Sequence, residues 1–176
     1  MSLLRTIEPE NATGVVADIY ENASNVFKKV PNVIKFYSVN PHWQTKLMEY
    51  LGYYSQHPKY SVILTAYIRL LVSVQLKCEY CIKFNSAILI HEGVKHTDLL
   101  TAMDNPENVE LPENEKAILL YALKVVADPH NRTENEVNEL RNLGWDDSEI
   151  FDLVYHATNH SGFIKLLDAF KVEVDY

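Results

Sequence analysis

The apolar positions of this chain recur at helical rather than strand spacing. Ile118, Leu119, Ala122, Val125 and Val126 fall on one face of a helix. Ile150, Leu153, Val154, Ala157, Phe163, Leu166 and Leu167 do the same further along. No segment alternates with period two, so strands are not expected. Punctuation supports the pattern. Asn40-Pro41 supplies a cap and a first-turn proline, predicting a helix to about Gln56 that Pro58 closes. A second helix is predicted from about Tyr60 towards Lys77, and a third, carrying Cys78 and Cys81, ends at Gly93. Pro112, with Glu113 and Glu115, opens a helix that runs through Asp128 to Pro129. Thr133 and Glu136 form a capping box whose helix Gly144 ends, and Asp146 with Glu149 starts the last long helix, in which Gly162 is a weak point. A first helix spans about Ala17 to Lys28, before Pro31. The expected fold is all-α: a single-domain bundle of seven or eight helices over residues 1–176.

Composition narrows the function. With 47% hydrophobic and 23% charged residues the chain has an ordinary globular make-up. A net charge of −8 gives no basic field for nucleic acid or an anionic membrane surface. The N-terminal residues read as no secretory signal. The most apolar stretch, Val62 to Leu76, is interrupted by Arg69, Ser73 and Gln75, and is too short to span a bilayer. The expectation is a cytoplasmic protein.

The candidate chemistry sits in Cys78-Glu-Tyr-Cys81. These are the chain's 2 cysteines. A secreted disulfide scaffold uses more, and a structural zinc site needs four ligands, so no metal or cofactor is expected. A lone C-x-x-C pair reads best as a dithiol/disulfide redox site. At i, i+3 in a helix the two β-carbons lie about 5–6 Å apart, close to disulfide reach. A helix N-terminus would stabilise a thiolate. Lys77 and Lys83 flank the pair and favour the anion, while Glu79 opposes it. The competing reading is two buried structural cysteines.

The stretch Ser73-Val-Gln-Leu-Lys-Cys-Glu-Tyr-Cys-Ile-Lys-Phe-Asn-Ser-Ala resembles the core of the alkylhydroperoxidase D / carboxymuconolactone decarboxylase-like family. Val30 to Ile34, Asn40-Pro41, Thr133 to Leu143 and Gly144 to Val154 extend the likeness to its peroxidase-related branch. The resemblance implies an AhpD-like helical fold and a homo-oligomer, trimer or hexamer. It also implies an antioxidant oxidoreductase that reduces hydroperoxides through the cysteine pair, recycled by a dithiol reductant protein. In this reading Cys81 meets the peroxide, Cys78 resolves it, and Asn85 is the third candidate catalytic residue. The family's proton relay uses a glutamate and a histidine. Here those positions hold Ala66 and Asn85, neither of which is a base near neutral pH. A slow enzyme is therefore expected. The alternative is a degenerate member, acting as a thiol–disulfide exchange partner, redox sensor or oligomeric interaction protein without peroxide turnover. The decarboxylase branch is disfavoured by the intact C-x-x-C.

Other groups are expected to be structural. His91 reads as a helix-end residue. His156 and His160, one turn apart, read first as polar-face histidines, and their spacing also suits a metal or a proton relay near the cysteines brought in by tertiary packing. Glu79 is expected in solvent and Tyr80 in packing. Tyr50, Tyr53, Tyr54, Tyr60 and Tyr67 suit core, interface or the lining of a pocket for an organic peroxide.

Overall fold

Proline, capping side chains and left-handed residues divide the chain into nine α-helices among the residues described, 2–175 of the computed structural model. They are α1 (Val15–Phe27), α2 (Asn32–Tyr37), α3 (Pro41–Ser55), α4 (Val62–Gln75), α5 (Glu79–His91), α6 (His96–Asp104), α7 (Glu113–Ala127), α8 (Glu134–Asn142) and α9 (Asp147–Ala169). Short 3₁₀ turns lie at Pro9–Asn11, Pro106–Asn108 and Pro129–Asn131, and the described residues hold no strand. The all-α class is as the sequence indicates. The short helices α2 and α6 are the additions, and α9 runs unbroken through Gly162.

Residues to 58 and from 166 form one compact unit; residues 59–165 form another. In the first, α3 packs on α1 and α2. Val16, Ile19, Tyr20, Val33, Ile34 and Phe36 are buried there. Part of its polar interior is satisfied by backbone carbonyls, while Gln44 Oε1 is buried without a hydrogen-bond partner. Tyr20 Oη donates to the Ile7 carbonyl at 2.6 Å, and Gln44 Nε2 to that of Ile34 at 2.9 Å.

The second unit is organised around α4, which packs on α5, α6 and α7. Ser61 caps it, its Oγ accepting from Leu64 N at 3.0 Å. The helix is apolar nearly all round: Leu64, Ala66, Ile68, Leu70 and Val72 are all 0% exposed. The starts of α8 and α9 are fixed by equally local means. Thr133 and Glu136 close the capping box on α8. Asp146 and Glu149 form a reciprocal pair at the start of α9, each carboxylate accepting from the other's backbone N–H at 2.9 Å. No helix among the described residues is long and apolar enough to cross a membrane.

Four helices end in the same way. A residue in the left-handed region donates to the carbonyl three before it, and the next residue donates to the carbonyl five before it. Two of these residues are Gly93 and Gly144, and two are Lys77 (φ 59°) and Lys171 (φ 53°). A side chain in this region costs about 1 kcal/mol that glycine avoids. Lys171→Gly, remote from the cysteines in sequence and in the other unit, should therefore raise unfolding free energy by about 0.5–1 kcal/mol. Urea unfolding measures it; an unchanged or lower midpoint would contradict the strain argument.

Candidate functional site

The end of α4 places the first cysteine. Lys77 turns left-handed, its N–H bonds Val74 O at 3.1 Å, and Cys78 N bonds Ser73 O at 3.0 Å. Cys78 thus closes the C-terminus of α4 and is also the N-cap of α5, with φ −82° and ψ 99°. Cys81 is the third residue of α5. The sequence placed both cysteines on one helix; the structure puts Cys78 just before it. The two flank a first turn whose backbone N–H groups have no acceptor within the helix, a setting that favours a thiolate. Both are thiols, not joined by a disulfide, and they are 1% and 2% exposed.

The charges expected near them are arranged on the outside. Glu79 and Lys83 pair with each other at 2.7 Å, one turn apart and exposed. That hydrogen bond from Lys83 is the main reason the Glu79 carboxyl titrates below its ordinary range. Tyr80 is buried and stacks on Phe84, with ring centroids 6.4 Å apart. Glu79 in solvent and Tyr80 in packing are thus as expected, and His91 is exposed at the end of α5. Tyr60 and Tyr67 are buried in the second unit, Tyr60 Oη donating to Asp152 Oδ2 at 3.2 Å. Tyr50, Tyr53 and Tyr54 make edge-on ring contacts in the first, where Tyr53 is exposed.

The positions where a relay would stand are both buried. Ala66 is 0% exposed and Asn85 1%. Asn85 Nδ2 donates to the Cys81 carbonyl at 2.8 Å, and its Oδ1 accepts from Arg69 Nε at 2.7 Å. The guanidinium can only donate, so it fixes the orientation of the amide. Asn85 thus ties its side chain to the backbone of Cys81.

Arg69 continues to α9. Its Nη1 lies 3.1 Å from His156 Nε2. The same nitrogen is 3.3 Å from the Thr65 carbonyl, but it cannot accept and donate at once. Because arginine always donates, Nε2 accepts and the proton of the neutral ring sits on Nδ1. One turn later His160 Nε2 is 3.0 Å from Ser73 Oγ. Ser73 Oγ is 2.5 Å from the Arg69 carbonyl, which needs the hydroxyl proton, so His160 donates to Ser73 through Nε2–H.

His156 and His160 are therefore not on a solvent-facing polar face, the reading preferred from the sequence. They are 0% and 6% exposed and face Arg69 and Ser73 of α4. Burial, and then the Arg69 charge, push His156 well below the ordinary histidine range. The same two causes push His160 down to about 3. Both rings are neutral at pH 7, and the positive charge of the cluster stays on Arg69. Arg69, which joins these side chains, is not among the candidate residues read from the sequence. Its signal was present: a lone arginine in the most apolar helix of the chain. No three His, Cys, Asp or Glu side chains are grouped to hold a metal among the described residues.

The sequence matches no protein-family model and no curated protein. Solved structures do match. One is an alkylhydroperoxidase AhpD core, an uncharacterized peroxidase-related protein from Ralstonia eutropha JMP134 (TM-score 0.87, 19% identity, 99% of this chain and 92% of that one). Another is an uncharacterized peroxidase-related protein from Silicibacter sp. TM1040 (0.84, 18%, 98% and 88%). A third is the debrominase Bmp8 in its apo form (0.76, 14%, 97% and 90%). At such identities the likeness speaks for the backbone alone, and it establishes the architecture: this chain has the all-helical AhpD-like fold.

Proposed function

We propose that this chain is a thiol oxidoreductase that reduces hydroperoxides through Cys78 and Cys81. The observation that carries the reading is their placement on either side of the first turn of α5, with α4 closed onto Cys78 by its own backbone. The Cys81 thiolate attacks the distal peroxide oxygen. An S–O bond forms, the O–O bond breaks, and the leaving alkoxide takes a proton to become an alcohol. Cys78 then attacks the sulfenic sulfur. The S–S bond forms and hydroxide leaves as water. A dithiol reductant protein restores both thiols and is itself oxidised to a disulfide. With Ala66 and Asn85 where a base would stand, turnover is slow. Loss of general-base help costs about 10²–10⁴-fold.

The near-complete burial of both thiols favours a second reading. In it the pair forms a disulfide with a protein partner and does not turn over peroxide. Stopped-flow mixing of the pre-reduced protein with an organic hydroperoxide separates the two. Loss of two thiols with one equivalent of peroxide consumed supports the peroxidase. Thiols that survive excess peroxide but oxidise with a disulfide reagent support exchange. A brominated aromatic belongs in the same assay, given the debrominase among the structural neighbours.

A further inference from the structure

The cluster around Arg69 sits where the sequence lacks a relay, and nothing in the dithiol chemistry above uses it. Arg69 binds α5 through Asn85 and α9 through His156, while its carbonyl accepts from Ser73, which in turn accepts from His160 Nε2–H. Ser73 also holds Cys78 through its own carbonyl. One arginine thereby links both cysteine positions to α9.

We propose that Arg69 is the positioning residue of the dithiol site, a fixed cation that holds the first turns of α5 through Asn85 and biases Cys81 towards the thiolate.

Two geometric facts support this. Cys81 and Asn85 are one turn apart on α5, so their side chains share a face with β-carbons about 5–6 Å apart. Arg69 Nε, 2.7 Å from Asn85 Oδ1, lies on that face. Arg69 itself is half-buried, but its partners Ser73, Asn85, His156 and His160 are buried, so the side of the guanidinium facing them is shielded from solvent. The polarity is the reverse of an acid–base relay. There is no proton acceptor at position 66 or 85, and in its place stands a permanent positive charge between neutral partners. Such a charge lowers the thiol's proton affinity without moving a proton itself.

The other ionisable groups do not supply this field. Glu79 and Lys83 on α5 neutralise each other. His156 and His160 on α9 are neutral. Lys77, in the turn before Cys78, is exposed. On α6 and α7, Asp98 and Glu115 carry the opposite sign; Glu115 is engaged by Ser61 at the far end of α4.

The role rests on the dithiol reading, and its test needs no peroxide. In a Cys78→Ser background the rate of iodoacetamide alkylation of Cys81 is followed against pH. Arg69→Gln and Arg69→Met, two neutral replacements of which the apolar one suits a buried helix, should each raise the midpoint by about one pH unit, while Arg69→Lys stays near the parent. Circular dichroism identifies the folded variants. A folded neutral variant with an unmoved midpoint overturns the proposal. So does a lysine variant that shifts as far as the neutral ones, since charge would then not be the cause. A peroxide assay that fails beside an intact shift removes the peroxidase reading and leaves the role of Arg69 standing.

Discussion

Cys78→Ser should leave a protein that reacts once with hydroperoxide and then stops, with Cys81 trapped as a sulfenic acid. Cys81→Ser should not react at all. The asymmetry follows from the two positions. Cys81 is inside the helix, on the face that carries Asn85 and through it Arg69. Cys78 is the N-cap, in extended backbone and tied to Ser73 O. Sulfenic acid formation at Cys81 needs only the first step. Without the second thiol no S–S bond forms, and the oxidised sulfur persists until a small thiol or dimedone reaches it. Mass spectrometry should find one dimedone adduct per chain in Cys78→Ser, none in Cys81→Ser, and none in the parent, where the disulfide forms first. Steady-state turnover should fall to background in both variants. If Cys78 carried the adduct and Cys81→Ser reacted normally, the order would be reversed. The field of the helix N-terminus at Cys78 would then outweigh the Arg69 cluster at Cys81.

These roles were legible in the sequence only in part, and the reasons are physical. Prolines and capping pairs act locally, so the starts at Asn40, Pro112, Thr133 and Asp146 could be read directly. The end of α4 could not. Lysine carries no local signal for the left-handed turn at position 77, so the helix appeared to run on towards the cysteines. For α2, a segment of six residues has too few apolar positions to define a period. The site divides the same way. Cys78 and Cys81 are recognised by their chemistry and spacing. Arg69, His156 and His160 meet only through tertiary packing, across 87 residues of chain. Histidines one turn apart look alike whether the helix face is wet or dry. A charge inside the most apolar helix was the one sign that this face is polar, and it took the histidine partners to give it meaning.

The same buried histidines make the fold sensitive to mild acid. In the unfolded chain each histidine titrates near 6.5, while in the folded protein His160 titrates at about 3 and His156 well below its ordinary range. Above pH 6.5 both states are neutral at these positions, and the full stability is present. As pH falls below 6.5 the unfolded chain takes up protons that the folded one excludes, first because burial penalises the charge and then because Arg69 repels it. Stability is lost continuously down to about pH 3 for His160. Each depressed histidine contributes a slope of about 1.4 kcal/mol per pH unit within its window. Between pH 7 and pH 5 His160 should therefore remove on the order of 2 kcal/mol, and His156 acts in the same direction. Burial raises the Glu115 carboxyl, which acts with the opposite sign at the lower end of that interval. Glu136, Asp146 and Asp147 titrate below their ordinary range and stay ionised throughout it. Urea unfolding at pH 7, 6 and 5 reads the slope. His160→Gln retains a side-chain N–H that can serve Ser73 and cannot be protonated. It should be less stable than the parent at pH 7 but lose less on acidification, by on the order of 2 kcal/mol between pH 7 and pH 5. Parallel pH profiles for the two proteins would mean that His160 accepts a proton within the folded cluster, and that the Arg69 charge is not the field these residues feel.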